Sequence, residues 1–285
     1  MPSPISRRTA VLSLASASLL PFRAHAQSAS ALEIGVLPNI SARVLMAQYQ
    51  PMRDYLAREL KRPVQVSTAP NWTAFHQRTL ALDYDVIVTA ANLARVAQVD
   101  RGYVPMLVYA PQIKGMVAYP TSRPLKDLAD LGGKTLVLSN HQSLVALRGM
   151  QWLAEKGLQR DRDFKTINTP TDDSVGNVVV RGDAAAAMLS GGEFRAIPDA
   201  IRAQLTVMTT FAEVPGFVVL ASPKLAPADA RAVKEHLQRF GSASDEGKGF
   251  FASTGFTQIR EPAPGMMESM DGFVDATRKV LAVTG

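Results

Sequence analysis

Tyr84-Asp85-Val86-Ile87-Val88-Thr89 is the stretch on which the fold turns. Its apolar residues run on without polar alternation, which marks a strand covered on both faces, as in a parallel sheet. Upstream, Leu32 to Leu37 gives a first strand. Tyr49, Met52, Leu56 and Leu60 then recur at spacings of three and four, one face of a helix that Pro51 either opens or kinks. Val64 to Thr68 reads as a second strand and Asn71 to Leu80 as a short helix. Downstream, Asn92 to Arg101 is helical and Val104 to Tyr109 is a strand. The order β-α-β-α-β-α-β predicts a parallel sheet with crossover helices.

The order then repeats. Gly115 to Tyr119 is a strand, Leu125 to Leu131 a short helix, and Thr135 to Ser139 a strand. Leu144, Leu147, Met150 and Leu153 mark a helix closed by Gly157, a glycine just past the last turn. Phe164 to Asn168, Asp172 to Arg181 and Ala184 to Leu189 read as strand, helix and strand. Leu205 to Thr210 and Gly216 to Leu220 are further strands, and helices at Pro227 to Phe240 and Met266 to Leu281 end the chain. Two successive α/β units predict two lobes.

The N-terminus has the pattern of an export signal. Arg7 and Arg8 precede an apolar run from Ala10 to Leu20, and Ala24-His25-Ala26 supplies a small-residue cleavage site. The run is about half the ~20 residues that a spanning helix needs. Ser6-Arg7-Arg8 also resembles the start of a twin-arginine signal, although Ala10 replaces the usual bulky residue, so both export routes stay open. Removing residues 1–26 leaves 259 of the 285 residues and lowers the formal charge from +6 to +3. No block of basic residues alternates with aromatics, which argues against nucleic-acid binding. The chain has no cysteine, so it has no disulfide, thiol chemistry or lipid-bearing cysteine. The mature protein is expected free in solution, in a periplasm, as a monomer.

Motifs that would carry chemistry fail on inspection. Gly132-Gly133-Lys134-Thr135 resembles the end of a phosphate-binding loop, but Leu128 stands where that loop needs another glycine. Arg181-Gly182-Asp183 spells an adhesion tripeptide and is explained by a helix end followed by a strand start. There is no nucleophile elbow and no histidine pair at metal spacing. His76, His141 and His236 stand far apart. No cofactor and no metal is expected.

The informative residues lie between strand ends and helix starts, where ligands bind in open α/β sheets. Asn39, Thr89 and Asn92 occupy such junctions in the first unit, and Trp72 and Tyr49 could wall a cleft beside them. His141, Ser143 and Asp172 occupy them in the second. Each short polar residue also fits as a helix cap, worth ~1 kcal/mol. Together they predict a shared ligand cleft with helix starts that favour an anion.

The chain resembles the periplasmic phosphate/phosphonate-type substrate-binding proteins of ABC importers. The pieces are I-G-V-L-P at Ile34–Pro38, Y-x-P-x-x-x-Y-L at Tyr49–Leu56, R-P-V at Arg62–Val64 and D-Y-D-V at Asp83–Val86. They continue with L-x-D-L near Leu125–Lys134, L-x-x-x-G-L at Leu153–Leu158, Asp163-Phe164 and V-x-x-G-D-A-A at Val179–Ala185. The resemblance implies a type II two-lobed periplasmic-binding-protein fold, each lobe a mostly parallel sheet flanked by helices. It implies lobe 1 from residues 27–112 and 216–285, with the final segment returning to it, and lobe 2 from residues 113–215. It further implies a small-molecule ligand, an oxyanion first, and an ABC permease in the inner membrane as partner, with no catalysis. The departures concern the ligand. Ser139-Asn140-His141-Gln142-Ser143 keeps one clear match, Ser143, to the family's Ser/Thr-rich oxyanion turn. Asn92-Leu93 replaces an expected tyrosine, and Thr171-Asp172-Asp173 an expected histidine. An amine-bearing or neutral ligand competes with the oxyanion. A periplasmic sensor feeding a membrane histidine kinase, and a secreted enzyme on the same scaffold, are the alternative functions.

Overall fold

The computed structural model describes residues 30–169 and 174–282. The export signal and Asp172 lie outside these residues. The first unit forms as its periodicity predicts: β1 (Leu32–Val36), α1 (Ala42–Leu60), β2 (Val64–Ser67), α2 (Trp72–Leu80), β3 (Val86–Thr89), α3 (Ala91–Arg101) and β4 (Val104–Ala110). Pro51 lies inside α1, and the helix buries Leu45, Tyr49, Met52, Tyr55 and Leu56 against the sheet. The second unit comprises β5 (Ile113–Pro120), β6 (Thr135–Leu138), α4 (Leu144–Glu155), β7 (Lys165–Asn168), α5 (Val175–Arg181) and β8 (Ala186–Ser190), followed by α6 (Gly191–Ala196), α7 (Asp199–Arg202) and β9 (Leu205–Val214). The chain then returns as β10 (Val218–Ala221), α8 (Pro227–Ala243), α9 (Asp245–Thr254), β11 (Gln258–Arg260) and α10 (Val274–Ala282).

The two sheets are mixed. The first has the order β11-β4-β10-β3-β1-β2 and the second β7-β6-β8-β5-β9. In the first sheet β1 pairs in parallel with β2 and β3, as expected. β4 does not pair with β3, because the returning β10 is inserted antiparallel between them. Strands β1 to β4 still share one direction, so the crossover reading holds while the hydrogen-bond pairing differs. In the second sheet β6 pairs in parallel with β7 and β8, and β5 runs against β8 and β9.

The predicted last helix is two pieces, a 3-10 turn at Glu268–Phe273 followed by α10. Gly272 sits at the break, where a glycine weakens an α-helix by ~1 kcal/mol. An aromatic cluster ties the returning segment to α1 and β4. Phe250 meets Tyr49 at 5.2 Å and Tyr109 at 6.0 Å edge-on, and Phe256 meets Tyr109 at 5.3 Å. Such edge-to-face pairs add ~0.5–1.5 kcal/mol beyond burial. No helix among the described residues is long and apolar enough to cross a membrane.

Candidate functional site

Two chain crossings join the sheets, between β4 and β5 and between β9 and β10. They run side by side, with the Tyr109 amide donating to the Phe217 carbonyl at 2.8 Å. Gly216 makes this approach feasible, since a Cβ there would lie 2.2 Å from the Tyr109 carbonyl oxygen. A cleft of about 840 Å³ opens above the crossings. Its walls come from the carboxyl ends of β1, β2, β3, β6 and β8, where an open α/β sheet places its ligand.

On the wall of the first sheet, Asn39, Tyr49 and Trp72 line the cleft, as do Ala90 and Ala91 at the start of α3. Trp72 is fixed there because its Nε1 donates to the Pro38 carbonyl at 3.2 Å. The Asn71 side chain caps α2 by accepting from the Ala74 amide at 2.8 Å. Tyr49 and Tyr109 form the floor. Burial pushes both phenols well above their usual range, so both stay protonated. The Tyr109 hydroxyl is buried without a hydrogen-bond partner that meets ordinary geometry among the described residues.

On the opposite wall, Ser143, Leu144 and Val145 bring the start of α4 into the cleft. Ser143 is its N-cap and accepts from the Ala146 amide at 3.1 Å. The amides of Leu144 and Val145 are first-turn donors with no intrahelical acceptor. No partner is found for either among the described residues. This wall can therefore hold a compact anion on backbone donors.

Three candidates are placed elsewhere. Thr89 sits at the end of β3, behind the lining residues Ala90 and Ala91, with its Oγ1 buried and unpartnered. Asn92 is fully buried and is not among the lining residues. Its Nδ2 donates to the Gln142 carbonyl and to Thr277 Oγ1, both at 3.1 Å. His141 faces away from the cleft. Asn140 braces the loop by accepting from the Gln142 amide at 2.7 Å on its side chain and from the Ser143 amide at 3.2 Å on its carbonyl. His141 then meets Asn168 beside β7, with 3.1 Å between its Nδ1 and Asn168 Nδ2. Partial burial, together with Arg160, holds its pKa below the ordinary histidine value.

The structure adds residues that were not anticipated. Ser190 and Glu193 close a capping box on α6, and the Glu193 carboxylate also accepts from the Ser139 hydroxyl. This ties α6 to the loop that starts α4. Arg195 of α6 and Arg260 of β11 bring cations to the cleft, and Lys114 pairs with Glu213 at 3.9 Å on its edge. The signal for α6 was present, since Ser190-Gly191-Gly192-Glu193 is the S-x-x-E pattern of a capping box. No cluster among the described residues could hold a metal ion.

Residues 34–265 match the family model for the periplasmic phosphonate substrate-binding protein of ABC transporters. The chain belongs to that family. Membership makes it a binding component of an importer family, of periplasmic location, that takes small ligands and works with an inner-membrane permease. Several solved structures share the two-lobed type II fold of the family. PhnD1 of Prochlorococcus marinus in complex with methylphosphonate superposes with a TM-score of 0.77 at 13% identity, over 87% of this chain and 98% of its own. The binding component PA3383 of a Pseudomonas aeruginosa ABC phosphonate transporter gives 0.75 at 13% identity, over 88% of each chain. A histidine kinase sensor domain similar to periplasmic binding proteins gives 0.55 at 15% identity, over 82% of this chain and 98% of its own. No curated protein matches the chain.

Proposed function

We propose that the chain is the soluble receptor of an importer and holds a phosphonate-type oxyanion between its two lobes, without chemistry. The observation that carries this reading is the start of α4, whose Leu144 and Val145 amides are free and open on the cleft. A helix start favours an anion by ~0.3–1 kcal/mol, and by up to ~2 kcal/mol when partly buried. Closure removes water and strengthens every such contact. Asn39, Tyr49, Trp72 and Ser143 are the side chains of this chain that would surround the ligand. Residues 27–112 with 216–285, and residues 113–215, are the bodies that move. Export follows a signal cleaved after Ala26, and the mature protein works as a monomer in the periplasm.

Intrinsic fluorescence tests the reading. Trp72 lines the cleft, whereas Trp152 stacks on Phe211 at 5.0 Å against the second sheet. Methylphosphonate, phosphite, phosphate and alkylsulfonates, titrated one by one, are expected to give a saturable change for at least one of them. Trp72→Phe is expected to abolish that change and Trp152→Phe to keep it. Silence across the whole panel would remove the oxyanion from the reading.

A further inference from the structure

The anions of the cleft are committed, whereas two of its cations are not. Glu193 spends its carboxylate on the Ser190 amide and the Ser139 hydroxyl, and Glu213 faces Lys114. Arg195 and Arg260 make no ion pair and no side-chain hydrogen bond among the described residues. Their charge is therefore available to a ligand.

Arg195 has a built seat. It springs from α6, which the capping box and Ser139 anchor to the start of α4. Its guanidinium reaches across the cleft and rests against Gly255, the left-handed cap of α9 on the opposite wall. A Cβ at Gly255 would lie 2.3 Å from Arg195 Nη2, so the guanidinium occupies the space that a side chain there would take. Its donors stay open to the cleft, because no carbonyl or carboxylate among the described residues accepts from them. The open cleft also has room for more than a bare oxyanion. Its volume of about 840 Å³ falls in the range that holds a drug-sized ligand. The lining also includes apolar residues, among them Leu144, Val145 and Ala196.

We infer that the ligand is a two-headed acid, with a phosphonate-class group at the start of α4, a short apolar body, and a carboxylate paired with Arg195. This rests on the receptor reading above. The planar fork of a guanidinium matches a carboxylate bidentately, which a lysine cannot reproduce. Arg195 thereby sets specificity: an uncharged or aminated tail would leave the guanidinium unpaired or repelled.

Calorimetric titration of 3-phosphonopropionate, propylphosphonate and 2-aminoethylphosphonate into the wild type, Arg195→Ala and Arg195→Lys decides it. The wild type is expected to bind the carboxylated probe at least about tenfold more tightly than propylphosphonate, and the aminated probe most weakly. Arg195→Ala should erase the preference, weakening the carboxylated probe at least about tenfold more than propylphosphonate, and Arg195→Lys should restore part of it. An equal loss for both probes in Arg195→Ala would mean a role in closure alone and would overturn the inference. So would a wild type without preference, or one that prefers the amine. In each of those outcomes the receptor reading survives. If no phosphonate binds the wild type, both fall together.

Discussion

Gln142 is the side chain through which the loop opening α4 enters the other half of the molecule. It is almost fully buried, and its Nε2 donates to Thr73 Oγ1 at 3.1 Å and to the Val280 carbonyl at 3.4 Å. Asn92 reaches its carbonyl from α3. Gln142→Ala removes these side-chain bonds and leaves a void among buried polar groups, which is expected to cost about 2–3 kcal/mol. Chemical denaturation would measure it, and an unchanged midpoint would show that the contact contributes nothing. At this scale the sequence was only partly legible. Asn39, Tyr49, Trp72 and Ser143 could be placed because each follows a strand end or lies on a predicted helix face. Asn92 and His141 occupy equally polar junctions, yet one is consumed by α10 and the other is turned outward by Asn140. Such pairings join residues far apart in the chain, and no local pattern encodes them. Arg195 was missed for the opposite reason, since a lone arginine on a short helix has no signature of its own.

Among the elements, those with strong periodicity were legible, and those with mixed composition were not. β1, β3, α1 and α4 could be read from apolar spacing alone. α9 was not, because Gly247 and Gly249 interrupt its sequence and its apolar face rests on Phe250 and Phe251. β11 is three residues long and exists through its pairing with β4. The insertion of β10 between β3 and β4 has no sequence signal either, as four apolar residues fit any central position. The two crossings carry the prediction at this scale. Gly216→Ala would drive a Cβ into the Tyr109 carbonyl and push the crossings apart. A loss of about 1–3 kcal/mol is expected by calorimetric melting. A variant of wild-type stability would show that the crossings have slack.

For the whole molecule, the proposed hinge closure around a ligand would use the paired crossings as its axis. Small-angle scattering is expected to show a smaller radius of gyration when an oxyanion saturates the cleft. Superimposable curves with and without a ligand that demonstrably binds would exclude closure. The fold class was legible at this scale because the β-α alternation is written twice. The mixed pairing was not, since it depends on where the chain goes after residue 214.

That route also sets an order of assembly. The second sheet is drawn from one unbroken stretch, Ile113 to Val214, and lacks nothing once that stretch has emerged. The first sheet begins at Leu32 but keeps a gap between β3 and β4 until β10 arrives more than a hundred residues after β4. During synthesis its early strands must wait, their inner edges unpaired, while a younger part of the chain finishes first. Of the two sheets, the one begun first is therefore completed last.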